Sequence, residues 1–210
     1  MTAALPLGVS GTVVTVGSFD GVHRGHLAVL EEIASRARAT GRKSVLVTFE
    51  PHPMEVVAPD RAPGRLTTEV ERREILAQTG LDYAVILRFD DAIRSLAPER
   101  FVEDVLLARF RMKELVIGED HGFGRGRAGD VAMLRRLGTA EGFTVDVVPP
   151  VRDEVAGPIS STRLREAVRL GDFGLARRML GRPYTLSAQV IAGAGRGRAL
   201  GAPTVNLAVP

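Results

Sequence analysis

Thr12–Val16 reads TVVTV and runs straight into Gly17–His26, GSFDGVHRGH. A short run of β-branched residues with no charge has the composition of a strand buried on both faces. The glycines that follow free the backbone to turn sharply and to let a ligand approach closely. Beyond them, Leu27, Leu30, Ile33, Ala34 and Ala37 fall on one stripe of a helix over His26–Thr40. Strand, glycine-rich loop and helix in that order open a βαβ unit.

The pattern repeats downstream. Ser44–Phe49 (SVLVTF), Tyr83–Leu87 (YAVIL), Glu114–Ile117 (ELVI) and Thr144–Val148 (TVDVV) read as four further buried strands. Thr68–Gln78, Pro98–Arg109 and Asp130–Glu141 have helical spacing, with Thr68 and Glu71 placed for a capping box and Pro98 suited to a first turn. Ser161–Arg169 and Phe173–Met179 read as two more helices. The expected fold class is α/β: a doubly wound parallel sheet with helices on both faces. The register changes near Leu180–Pro183. From Tyr184 the sequence is strand-like, then glycine-rich, and too short for a core of its own. The expected division is one domain over 1–182 and, over 183–210, the first part of a small β-barrel domain.

Composition narrows the classes of function. The chain has 210 residues, 45% of them apolar, and no apolar run near the ~20 residues of a membrane span. MTAALPLGVSGT lacks the basic start and long apolar stretch of a secretory signal, so a cytoplasmic protein with no membrane partner is expected. There is no cysteine, which excludes disulfides and thiolate metal sites. Net charge is +3, and the basic residues are arginines except for Lys43 and Lys113, with no long basic run, so no nucleic-acid partner is expected. The sequence leaves the oligomeric state open.

In open α/β sheets ligands bind beyond the carboxyl ends of the strands. All four histidines fall in the loops there: His23 and His26 after the first strand, His52 in Glu50-Pro51-His52-Pro53 after the second, His121 after the fourth. His26 opens a helix whose free amides and dipole favour phosphate, and neutral imidazoles can still donate N–H bonds to it. A plain helix cap is one competing reading, and a zinc site with His52 as third ligand is another. Ser160-Ser161-Thr162-Arg163-Leu164-Arg165 starts a second helix with hydroxyls and guanidinium forks, again suited to phosphate. Gly124–Gly129 (GRGRAG) matches a dinucleotide fingerprint by letter but follows its strand too distantly, and no P-loop motif is present.

Taken together, these segments resemble the bacterial bifunctional riboflavin kinase/FMN adenylyltransferase family, the FAD synthetases. GSFDGVHRGH is similar to the HxGH signature of the wider nucleotidyltransferase superfamily, which is Rossmann-like. The spelling FDGVH, TFEPHP at Thr48–Pro53, LTT at Leu66–Thr68 and ISSTRLR at Ile159–Arg165 narrow the resemblance to the FAD synthetases. Gly195–Leu207 (GRGRALGAPTVNL) resembles the start of that family's riboflavin kinase domain. The chain departs from the family at His121, where an aromatic is usual, and carries Gly122 before Phe123.

The resemblance implies transfer of AMP from ATP to FMN, with magnesium as cofactor and ATP, FMN and, for the kinase half, riboflavin as small-molecule partners. It implies His23, His26 and Arg165 in catalysis. It implies ATP contacts from Gly17, Ser18, Phe19, Asp20 and Gly21, with His23, His26, Ser161, Thr162, Arg163 and Arg165. Pro51, His52, Pro53, Asp120 and Phe123 fall on the flavin side, and Thr204 and Asn206 at the kinase domain's ATP and magnesium site. Another HxGH nucleotidyltransferase with a different phosphate acceptor, or a non-catalytic flavin- or nucleotide-binding protein, are the alternatives.

Overall fold

A computed structural model describes residues 9–119, 129–193, 197, 201, 202 and 204–208. Strands β1 (Thr12–Val16), β2 (Lys43–Glu50), β3 (Tyr83–Arg88), β4 (Met112–Gly118) and β5 (Thr144–Val148) form one parallel sheet in the order β3-β2-β1-β4-β5. Val14 lies level with Val45 on one side and Leu115 on the other. The chain winds outward from β1 through β2 to β3, returns to β4 and winds the other way to β5. The direction therefore reverses between β1 and β4, and the loops leaving those two strands part over the gap.

Alternation along the strands divides the core into two layers. Val13, Leu46 and Val116 face helix α1 (Arg24–Thr40), where they pack with Leu30, Ile33 and Ala37. Their neighbours Val14, Val45, Val47, Leu115 and Ile117 face the opposite way and pack with Val102, Val105 and Leu106. Fully buried side chains such as Leu30 and Ile33 each contribute about 1.5–3 kcal/mol relative to exposure. α1 ends where Gly41 takes φ 64°, a left-handed conformation in which its amide reaches the carbonyls of Ala37 and Arg38.

The remaining helices differ from the sequence expectation in informative ways. Pro53–Val57 is a short helix, α2, in what reads as a loop. α3 (Glu69–Ala77) carries the expected capping box, closed in both directions between Thr68 and Glu71. Asp91–Ser95 forms another short helix, α4, capped by Asp90. The helix expected over Pro98–Arg109 is instead one α-turn, α5 (Pro98–Arg100), followed by a π-helical stretch over Phe101–Leu107. The wider coil buries Phe101, Val102, Val105 and Leu106 together. α6 (Val131–Glu141) adds Leu134 to that layer. Only β1, β2 and β4 bear out burial on both faces, because β3 and β5 are the sheet's edges and remain partly open to solvent.

Past β5, a two-residue ribbon (β6, Arg152–Asp153, with β7, Gly157–Pro158) leads into α7 (Ser161–Arg169) and α8 (Phe173–Leu180). Leu164, Ala167, Ala176, Met179 and Leu180 seat this helix pair on Leu66 and Ile159, which places the start of α7 beside the β1 loop. Of the strand-like tail, only Gln189–Ile191 forms a strand, β8, paired antiparallel with β9 (Asn206–Ala208), and both are exposed throughout. Among the described residues, no helix is long and apolar enough to cross a membrane.

Candidate active site at the sheet switch point

The loop leaving β1 is held in a conformation that its residues would not choose. Phe19 (φ 49°) and Val22 (φ 38°) both sit in the left-handed region, and both are buried. Each such non-glycine residue costs on the order of 1–3 kcal/mol, and a β-branched valine is among the least tolerant. Bonds from distant parts of the chain hold it there. Asp20, 4% exposed, accepts from the amides of Leu66 and Thr67, from the Thr67 hydroxyl and from Arg165 Nη2 at 2.7 Å. The Ser18 carbonyl accepts from Thr48 Oγ1 (3.0 Å) and Arg72 Nη1 (3.1 Å). Arg182 donates to the carbonyls of both Gly21 (2.8 Å) and Val22 (2.9 Å).

This loop delivers His23 and His26. His23 is the N-cap of α1: its Nδ1 accepts from the His26 amide at 3.2 Å. Nδ1 therefore carries no proton, and the proton of the neutral ring is on Nε2, which is left as a donor. The helix-cap reading and the ligand reading are thus compatible, since each uses a different nitrogen. The imidazoles stack at 3.7 Å with an 11° interplanar angle, and Phe19 covers His26 from 4.6 Å. Burial pushes the His23 pKa down to about 4, and the nearby Arg165 and Arg182 add to the effect. Burial, then His23 and Arg165, hold His26 well below the ordinary histidine range. Both rings are neutral near pH 7, and His26 Nδ1 is buried without a hydrogen bond.

Ser160 caps α7 by accepting from the Arg163 amide, and Ser161 Oγ donates to the Asp20 carbonyl at 3.1 Å. A methyl group added at Gly25 would come within 3.8 Å of the Ile159 carbonyl. The first turns of α1 and α7 therefore converge, presenting two sets of free amides and two positive dipole ends to one space. Arg165 stands at that meeting point, tied through Nη2 to Asp20 and through Nε to the Gly64 carbonyl at 2.8 Å. Gly17 abuts the Phe19 ring, where an added Cβ would lie 3.0 Å from it.

Not every candidate joins this cluster. Thr162 is exposed, and Arg163 is exposed with Nη1 turned to the Pro158 carbonyl at 2.6 Å. His52, between Pro51 and Pro53, caps α2 through Nδ1, which accepts from the Met54 amide at 3.2 Å. It lies close enough to Asp20 and Arg165 to feel both charges, while burial lowers its pKa. Asp120, His121, Gly122, Phe123 and residues 124–128 of the glycine-arginine run lie outside the described residues. Thr204 and Asn206 are exposed on and beside β9. Among the described residues, no group of three histidines, aspartates or glutamates could hold a metal, so the zinc reading gains no support. Asp20 is committed to its own donors, so the loop offers no free carboxylate for magnesium either.

Two arginines are prominent here that the sequence reading passed over. Arg72, 4% exposed, bonds the carbonyls of Ser18 and Phe49 and the carboxylate of Glu50. Its signal was its place four residues before buried Leu76, on the inward face of α3. Arg182 has no such signal, since it lies outside any helix or strand.

A pH effect on stability follows from His23. Its folded pKa of about 4 lies below the 6.5 of the unfolded chain, so between those values the unfolded state binds more protons. The stabilisation is complete above pH 6.5 and is lost as pH falls toward 4, on the order of 3 kcal/mol at most. Urea unfolding at pH 7 and pH 4.5 should therefore show a smaller acid loss for His23→Asn, which can still cap the helix, than for the unaltered chain. Equal losses would contradict the buried neutral imidazole.

A five-stranded parallel sheet whose switch point gathers two helix N-termini and paired histidines defines the α/β nucleotidyltransferase-like class. Residues 8–163 match the family model of FAD synthetase, and residues 180–210 match that of riboflavin kinase. The chain belongs to the FAD synthetase family. It is 39% identical over 197 residues to the bifunctional riboflavin kinase/FMN adenylyltransferase of Escherichia coli (strain K12), covering 94% of this chain and 63% of that one. Identity to the protein of the same name from Pseudomonas fluorescens is also 39%, over 198 residues, with the same two shares. A crystal structure described as a macrolide-efflux protein from Streptococcus pneumoniae superposes with TM-score 0.83 at 31% identity, over 98% of this chain and 66% of that one. The chain spans a little under two thirds of the length of the curated relatives it matches.

Proposed function

We propose that this chain makes FAD by transferring the AMP group of ATP to the phosphate of FMN, with release of pyrophosphate. The observation that carries this reading is the convergence of the α1 and α7 N-termini on one space that also holds His23, His26 and Arg165. Membership of the FAD synthetase family supports these substrates. An oxygen of the FMN phosphate bonds to the α-phosphorus of ATP as the bond to the bridging oxygen of the β-phosphate breaks. Pyrophosphate leaves with that electron pair. The nucleophile needs little help from a base, because a phosphate monoester loses its second proton near pH ~6.

What the protein supplies is alignment and charge stabilisation. His23 donates from Nε2, and His26 works beside it in a site dried by Phe19. Arg165, with Ser161, Thr162 and, from its present outward position, Arg163, receives the departing phosphates. Gly17, Ser18, Phe19 and Gly21 line the adenosine side with their backbone. Asp20 serves by bracing the loop rather than by offering its carboxylate. Pro51, His52 and Pro53 take the flavin side, and the family resemblance assigns Asp120 and Phe123, outside the described residues, to the same substrate. Magnesium bound with ATP would supply charge neutralisation for the transferring phosphates. We further propose the division at 182/183 and a cytoplasmic location. Residues 183–210 open a riboflavin kinase domain in which Thr204 and Asn206 take ATP and magnesium, consistent with the second family match.

Acceptor competition tests the substrate assignment. Pyrophosphate release from ATP should depend on FMN and should not be supported by pantetheine phosphate, nicotinamide mononucleotide or an alcohol phosphate. Release driven by one of those instead would assign a different nucleotidyltransferase. Flavin binding with no release would leave a non-catalytic binding protein.

A further inference from the structure

We propose that Arg182, the last residue of the 1–182 domain proposed above, is a positioning residue for His23 in the adenylyl-transfer site. This rests on the function proposed above. The match to FAD synthetase ends at residue 163 and the match to riboflavin kinase begins at 180. Arg182 belongs to the second, yet its guanidinium fork grips two successive carbonyls of the β1 loop, Gly21 through Nη2 and Val22 through Nη1. Those peptides immediately precede His23, and Gly21 (φ 80°) and Val22 (φ 38°) both hold left-handed conformations. Fixing both peptide planes fixes the direction in which His23 leaves the backbone, and with it the aim of Nε2.

The neighbouring residues reinforce this grip. Leu180, Pro183, Tyr184 and Thr185 close over Gly21, Leu66 and Thr67 around a small cavity. The Ser187 amide donates to Glu71 Oε1 at 2.5 Å, the carboxylate that also closes the α3 capping box. Residues 180–187 thus run as a strap across the strained loop. The charge of Arg182 also disfavours protonation of His23, as does that of Arg165 from α7, while Asp20 opposes them. His26 is also titratable and stacks on His23. Lysine offers a point charge in place of a planar fork and cannot bridge both carbonyls in the same way.

Arg182→Lys and Arg182→Leu in the 210-residue chain test the proposal. Steady-state FAD formation is measured alongside the imidazole ¹H–¹⁵N signals of His23 as a function of pH. Arg182→Leu should lower kcat by at least about tenfold, with KM for ATP changed by less than about threefold. Its His23 should titrate at higher pH than in the unaltered chain, and Arg182→Lys should give an intermediate kcat. Unchanged kcat and unchanged His23 signals in Arg182→Leu would overturn the proposal. So would equal losses of kcat in both variants with His23 signals unmoved, which would mark a purely structural role. If Arg182→Leu does not fold, Arg182→Lys decides: wild-type kcat with unmoved His23 signals overturns the proposal. Absence of FAD formation by the unaltered chain would overturn the proposed function, while the imidazole signals of the variants still decide whether Arg182 positions His23.

Discussion

His26→Ala is expected to lower the turnover of FAD formation about 10²-fold or more. The ring is enclosed between His23 at 3.7 Å and Phe19 at 4.6 Å, and burial holds it neutral. A donor held between two rings, with only part of its surface open to water, acts on developing phosphate charge with reduced screening and needs no reorganisation. Losing one such donor costs roughly 2.7–4 kcal/mol of transition-state stabilisation. The measurement is kcat and KM for ATP with FMN saturating. A loss in kcat bears out the role, whereas a change confined to KM for ATP would reduce His26 to a binding contact. The helix itself should survive, because the cap of α1 is the His23 side chain and the His26 contribution to it is a backbone amide.

Asp20→Ala should have the largest effect on stability, about 3–5 kcal/mol by urea unfolding. The carboxylate gathers buried amides of Leu66 and Thr67, the Thr67 hydroxyl and Arg165. Removing it leaves those donors unsatisfied and leaves a mostly buried guanidinium, 21% exposed as a side chain, without its carboxylate partner. The loss is a large share of the 5–15 kcal/mol typical of a domain. It also unties Phe19 and Val22 from their strained conformations, so turnover should fall with stability. A destabilisation below about 1 kcal/mol would contradict the bracing role assigned to Asp20.

Much of the fold was legible because its strands advertise themselves. TVVTV and TVDVV were read with the bounds they have, and β2 and β4 differ only by a residue or two at their ends. The capping box of α3 was readable as a local spacing. What escaped was either too short or too remote. α2 and α4 have five residues each, less than the span over which helical periodicity declares itself. The π-helical stretch keeps apolar residues where an α-helix would, so its letters look the same.

The site was legible as a set of residue types and not as a set of bonds. His23 and His26 could be placed by the strand, loop and helix around them. The division of labour between the two His23 nitrogens depends on a cap that the sequence only permits. Asp20 read as a residue lining the adenosine, but its partners lie 46 and 145 residues away and no spacing rule reaches them. Charge patterning assumes solvation and so gives Arg72 and Arg182 no role at this loop. Both are spent on backbone carbonyls of the site loop or its neighbouring strand. Strain at Phe19 and Val22 is likewise invisible in letters, since neither residue is one that prefers a left-handed backbone.

The most direct test is to incubate the purified chain with ATP, magnesium and either FMN or riboflavin, and to separate the flavins by chromatography. The account predicts FAD from FMN. FAD from neither flavin, with the chain folded and ATP in excess, would contradict it.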